Sequence, residues 1–207
     1  MKLSEEILIQ VCEKSLENAK ELILDADLLK ANKRISRAYT LYQLATEEVG
    51  KAIYCYLIIF NEQYDNPKIL SEFGRVFVSH KDKTDKSGSL NMIIAQVLFK
   101  GNFEGALNFL EESIQESKQL TEIDNLKNNS LYTSLINSQV KNPSEVITES
   151  LLSKIEIKAK SRFGAINAFV NTGIKHLDLF REHQKANPNY ELDAEEYAKT
   201  FWADLMQ

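Results

Sequence analysis

Ala38-Tyr39-Thr40-Leu41-Tyr42-Gln43-Leu44-Ala45-Thr46-Glu47-Glu48-Val49-Gly50-Lys51-Ala52 reads as the heart of one long amphipathic helix. Apolar residues at 38, 41, 42, 45, 49, 52, 53, 56, 57 and 60 recur at helical spacing and fill one broad arc. A step of about 100° per residue places Glu48 beside Leu41, Ala45 and Ala52, at the edge of that arc, and turns Glu47 to the opposite side. Lys51 lies one turn from Glu48 and can pair with it. A carboxylate beside a core face must be paired or must shift its pKa. Glu48 is therefore expected to take a cation or a hydrogen-bond donor from another element. The nearest dense source is Arg75-Val76-Phe77-Val78-Ser79-His80-Lys81-Asp82-Lys83.

Composition sets the class. The chain has 207 residues, with 43% hydrophobic and 27% charged content, as in globular domains. Seven glycines and three prolines are few breakers for this length, which argues for an all-α chain with short connections. We read one helical domain over 1–207, with a core over about 4–126 and a C-terminal helical part over about 143–207. The net charge of -5 and pI near 5.4 argue against a broadly basic surface that coats nucleic acid, but leave room for a local basic patch; no DNA partner is expected.

Cys12 and Cys55 fall in apolar helical stripes and read as buried thiols in a reducing cytosol. No cysteine or histidine spacing suits zinc, and no ExxH pairs suit a di-metal bundle, so neither metal nor cofactor is expected. Ser4-Glu5-Glu6 opens a charged helix rather than a signal peptide. The longest apolar run, Ala52 to Phe60, is short of the roughly 20 residues that a bilayer needs. A cytoplasmic protein without a membrane partner is expected.

The chain in order predicts a first helix over about 4–30 with Ser4 as its N-cap, then a turn at Asn32-Lys33. The second helix follows over about 34–63, antiparallel to the first. Pro67 opens a third helix to about 79. Lys81 to Ser89 is polar and reads as a solvated loop. A strongly apolar helix is expected over about 90–99. Another spans about 103–121 and extends to about 127. Residues 127–143 look irregular. A long helix starts after Pro143 and reaches about 185, with Gly164 or Gly173 as kinks. Asn187-Pro188-Asn189 reads as a turn, and Asp193 with Glu196 caps a last helix.

The chemistry-bearing groups are few. Arg75 and His80 form an R-x4-H pattern. In an RNA-cleaving site a histidine moves a proton to or from a ribose hydroxyl or leaving oxygen. An arginine fork holds the phosphate, and no metal is needed. The bland alternative is a helix-end histidine and a surface arginine. His176 and His183 flank Arg181 and suit a helix C-terminus. Lys154, Lys158 and Arg162 form a basic row that reads as a solvated face, less often as a phosphate track. Tyr39, Tyr42, Tyr54 and Tyr56 read as packing or dimer contacts.

Ala45-Thr46-Glu47-Glu48-Val49-Gly50-Lys51-Ala52 resembles the EE-x-GK-A helix of the AbiV family of abortive-infection proteins. His80-x-x-Lys83 after a short third helix, and Leu131-Tyr132 followed by Pro143, extend the resemblance over most of residues 15–180. The family lies in the HEPN superfamily. The resemblance therefore implies a HEPN-like bundle of long antiparallel helices, here with extra C-terminal helices, and a homodimer. It implies antiphage defence by a toxin-like protein that arrests growth or translation in infected cells. A phage-encoded protein would be the trigger, and RNA or a ribosome-associated component the target. Arg75 and His80 match the R-x4-6-H spacing of HEPN ribonucleases, so the resemblance makes them catalytic candidates. Glu47, Glu48, Lys51 and Lys83 would be the supporting polar network. Val76 departs from the pattern, because active HEPN enzymes usually carry a polar residue after the arginine. The pair also lies early in the chain, whereas active motifs tend to sit near the start of a late helix. A purely structural network of Glu48, Lys51, His80 and Lys83, in a non-catalytic interaction protein, remains the alternative.

Overall fold

The computed structural model describes residues 3–88, 91 and 103–186, apart from a few side chains. Among these residues the chain is all-α except for one small hairpin. It runs α1 (Glu5–Ala31), α2 (Ile35–Phe60), α3 (Pro67–Val78), α4 (His80–Ser87), α5 (Phe103–Leu131), β1 (Ser134–Ile136), β2 (Gln139–Lys141), α6 (Pro143–Val146), α7 (Glu149–Lys175) and α8 (Leu177–Ala186). No described helix is long and apolar enough to cross a membrane.

The first two helices form the expected hairpin. Ser4 caps α1 by accepting from the Ile7 N–H at 3.3 Å, and Lys33 turns the chain with a φ of 59°. The second helix is the axis of the molecule. Nineteen of its 26 residues are buried, because α1, α7, α4 and α5 all pack on it. Tyr39, Tyr42, Tyr54 and Tyr56 are each at most 5% exposed and serve as packing groups. Cys12 and Cys55 are buried free thiols, and Cys12 Sγ donates to the Ala52 carbonyl at 3.3 Å.

Three expectations are corrected. The polar stretch after Ser79 is not a solvated loop but α4, in which Lys83, Thr84 and Ser87 are buried. Ser79 makes this possible by capping it, accepting from the Asp82 N–H at 3.2 Å. The irregular stretch is shorter than expected. The fifth helix continues to Leu131, and the chain then forms β1 and β2, paired with Ile136 opposite Gln139. Asn137 and Ser138 have φ of 50° and 62°, the signs that a tight two-residue hairpin turn requires at both central positions. The helix expected from Pro143 to about 185 is three helices. It breaks at Ile147-Thr148, where Thr148 caps α7, and at His176, but not at Gly164. The helix expected over about 90–99, the turn after residue 186 and the last helix lie outside the described residues.

Candidate functional site

The site is built where α4 crosses α2. Asn66 caps α3, which ends when Ser79 takes extended angles, and α4 starts at once with His80. Arg75 thus sits in the last turn of one helix and His80 begins the next. The fourth helix comes unusually close to α2 because Gly50 has no side chain. A Cβ there would lie 1.9 Å from the Lys83 carbonyl oxygen and 3.1 Å from the Ser87 nitrogen. Val49-Gly50-Lys51 is therefore a docking surface for a second backbone.

That approach brings four side chains together. Glu47 is 1% exposed. One of its carboxylate oxygens meets His80 Nδ1 at 2.5 Å and Lys83 Nζ at 3.4 Å. The other meets Lys127 Nζ at 3.3 Å. Lys127 is buried too and also pairs with Asp124 at 2.8 Å. A carboxylate taken from water is stable only when such partners replace its hydration. Its acceptor oxygen orients the imidazole with the proton on Nδ1, which leaves Nε2 as the working nitrogen. The ring is about half exposed, and no described residue hydrogen-bonds its Nε2. A fixed histidine with one nitrogen on a carboxylate and the other open can take or give a proton at its outer edge.

The expected roles of the two glutamates are exchanged. Glu48 does pair with Lys51, at 2.6 Å within one helical turn. It needs nothing from another element. Glu47, expected on the far side, is the buried one. The far side of α2 is not solvent, since α4 and α5 cover it. His80 and Lys83, from the segment anticipated as partner, answer Glu47 instead. Arg75 lies apart from this cluster. Its side chain is 64% exposed, with Nε 3.6 Å from Asp82 and Nη2 3.9 Å from Glu72.

Lys127 was not anticipated. The signal was present in spacing, because Glu116, Leu120, Ile123, Lys127 and Ser130 step by three or four along α5. Gln43 and Thr84 extend the same seam. Gln43 Nε2 donates to Thr84 Oγ1 at 2.9 Å. Thr40 and Ser130 hydroxyls meet at 2.6 Å.

A second polar cluster continues from the end of α4. Arg162 donates to Ser87 Oγ at 2.7 Å and to Glu116 Oε1 at 3.0 Å. Lys158 also reaches Glu116. The basic row on α7 is thus not a solvated face: Arg162 is buried and Lys158 largely so, and only Lys154 is exposed. Burial works to raise the Glu116 carboxyl pKa, but the bonds and charge of Arg162 outweigh it and hold it below its ordinary value. The Lys158 ammonium is pushed the other way from a simple ion pair. Burial first, and the Arg162 charge second, lower its pKa despite Glu116. Arg162 is therefore the stronger of the two cations that stabilise Glu116, as expected of a bidentate guanidinium.

Arg181 is likewise more than a helix-end cation. It is buried and donates to the Ile59 carbonyl and to Tyr64, and it pairs with Glu5 at 2.9 Å. His176 caps α7 through its backbone N–H to Thr172. The side chain of His183 is outside the described residues.

A family model described as AbiV matches residues 8–162, about three quarters of the chain. Neither a curated protein nor a solved structure matches it.

Proposed function

This chain belongs to the AbiV family of HEPN proteins, and we propose that it defends bacteria against phage by abortive infection, arresting growth or translation in the infected cell. The proposed mechanism is metal-independent RNA cleavage at His80. The single observation that supports it is the Glu47–His80 contact, a buried carboxylate 2.5 Å from one nitrogen of a half-exposed imidazole.

In this reading Glu47 is a positioning residue. It fixes the ring so that Nε2 faces a bound strand. His80 takes the proton of a ribose 2′-hydroxyl as the 2′-oxygen attacks the adjacent phosphorus, and the bond to the 5′-oxygen breaks. A proton from an imidazolium goes to that leaving oxygen. In a homodimer the second imidazole would come from the other copy. Arg75, which the fold leaves exposed, would swing from Asp82 to hold the phosphate. A phage-encoded protein would be the trigger, and RNA or a ribosome-associated component the target, in the cytoplasm.

A second reading has its own observation. Glu47 already balances Lys83 and Lys127, and Arg75 is engaged by Asp82 and Glu72 rather than by His80. His80 would then close a structural network in an interaction protein that senses a phage protein or binds the translation machinery.

Growth arrest decides between them. Wild type, His80→Ala and Arg75→Ala are expressed with and without phage, with folding checked by circular dichroism and total RNA followed in parallel. Catalysis predicts that folded His80→Ala loses protection and leaves RNA intact. Protection equal to wild type in folded His80→Ala would sink it and leave the interaction reading.

A further inference from the structure

We propose that the cleft between α2, α5 and α7 binds a linear polyamine. This cleft is distinct from the Glu47–His80 contact and does not depend on the reading given to it. Its volume is about 720 Å³, the size of a small-molecule site.

The floor carries the first observation. Gln43 lines the cleft and is 1% exposed, and its Nε2 is spent on Thr84. Its Oε1 is buried without a hydrogen-bond partner among the described residues. A buried carbonyl oxygen that has lost water and gained no donor is costly, so a donor is wanted there.

The wall carries the second. Glu111, Glu112 and Glu122 line the same cleft from one helix. Glu116 is shared by Arg162 and Lys158, and among the described lining residues four carboxylates face two cations, Lys154 and Lys158. The field inside is negative. It reaches Tyr39 at the floor, whose hydroxyl is pushed up to about 12, by burial first and by the Glu122 charge second.

The ligand class follows from spacing. Glu111 and Glu122 are eleven residues apart on α5, or about 16 Å along the axis. Among the described residues no three acidic, histidine or cysteine side chains converge closely enough to hold a metal ion. The site therefore suits charges strung along a chain rather than one compact cation. Ile123, Leu126, Leu151 and Ile155 supply apolar surface between the polar groups. A polyamine alternates ammonium groups with methylene runs, which matches both. A phosphate-bearing ligand would be repelled. Through Gln43 the occupant would also touch Thr84, one turn along α4 from His80.

The test is calorimetric titration of the full chain with spermine at low salt. Saturable binding is expected. It should weaken roughly tenfold in Glu111→Gln/Glu122→Gln, the size of two exposed ion pairs. Glu13→Gln/Glu17→Gln, which removes the same charge from the exposed side of α1, should leave affinity unchanged. Gln43→Leu should weaken binding at least as much as the rim pair, in protein shown to be folded. Absence of saturable binding overturns the proposal. So does equal weakening in the two double variants, which would mean unspecific charge attraction. Tighter binding of a lysine-rich peptide than of spermine would also overturn it and make the cleft a protein-docking groove.

Discussion

The Lys83 carbonyl oxygen occupies the space that a side chain on Gly50 would need, 1.9 Å from where its Cβ would sit. The contact is backbone against backbone, so no flexible side chain can move aside. It holds α4 at the depth where Glu47 reaches both His80 and Lys83.

Gly50→Ala should therefore push α4 outward and destabilise the protein by about 3 kcal/mol, at the upper end of overpacking costs. Gly74→Ala and Gly164→Ala, where an added Cβ meets nothing within 4 Å, should instead gain about 0.5–1 kcal/mol from helix propensity. Urea unfolding of the three variants measures both signs. Equal effects would remove the special role of Gly50.

Glu47→Ala should cost about 3–5 kcal/mol, because it strands Lys83 in the interior without a counter-charge and leaves the buried Lys127 with Asp124 alone. Adding Lys83→Met should recover part of the loss, since the unpaired cation is then gone. Glu48→Ala removes only a partly exposed pair with Lys51 and should cost about 1 kcal/mol or less. Denaturation midpoints for these variants test the exchange of roles between the two glutamates.

Arg75→Ala should change stability by no more than about 0.5 kcal/mol, since the side chain is 64% exposed and its ion pairs are long. Any loss of phage protection in this variant therefore reports function and not folding. A large drop in melting temperature would show instead that Arg75 holds α3 to α4.

Stability should fall in acid through Glu116. Its folded carboxyl pKa lies below its ordinary value of 4.5, held there by Arg162 against the opposing effect of burial. The unfolded chain then binds the proton more readily, so the stabilisation is complete above about 4.5 and is lost as pH falls through the folded value. Urea midpoints from pH 7 to pH 3 should decline more steeply in wild type than in Glu116→Gln. Parallel curves would contradict this.

Ser138→Gly should stabilise the hairpin. Ser138 holds a φ of 62°, which costs a residue with a Cβ about 1–2 kcal/mol and glycine almost nothing. Glycine's greater freedom in the unfolded chain offsets part of the gain, leaving on the order of 0.5 kcal/mol. A rise of about 1–2 °C in thermal midpoint is expected.

The sequence alone determined the helical class, the α1–α2 hairpin and the family. Each rests on local pattern: apolar spacing at helical period, a Ser4 cap, a Pro67 start, and Glu47-Glu48-Val49-Gly50-Lys51. It also marked His80 and Lys83 as partners for a carboxylate on α2. The hairpin at Asn137-Ser138 escaped because two three-residue strands carry almost no periodicity, and Asn-Ser signals a tight turn more weakly than Asn-Gly. Helix α4 escaped because its charges and hydroxyls read as solvated, whereas Gly50 lets them bury against α2. Which glutamate is buried was a tertiary decision. A helical wheel divides one helix into an apolar and a polar side, but α2 is enclosed by four others. Its polar side faces α4 and α5, and Lys127 arrives there from eighty residues away. Only the packed structure brings that cation to Glu47 and leaves the imidazole of His80 at the surface.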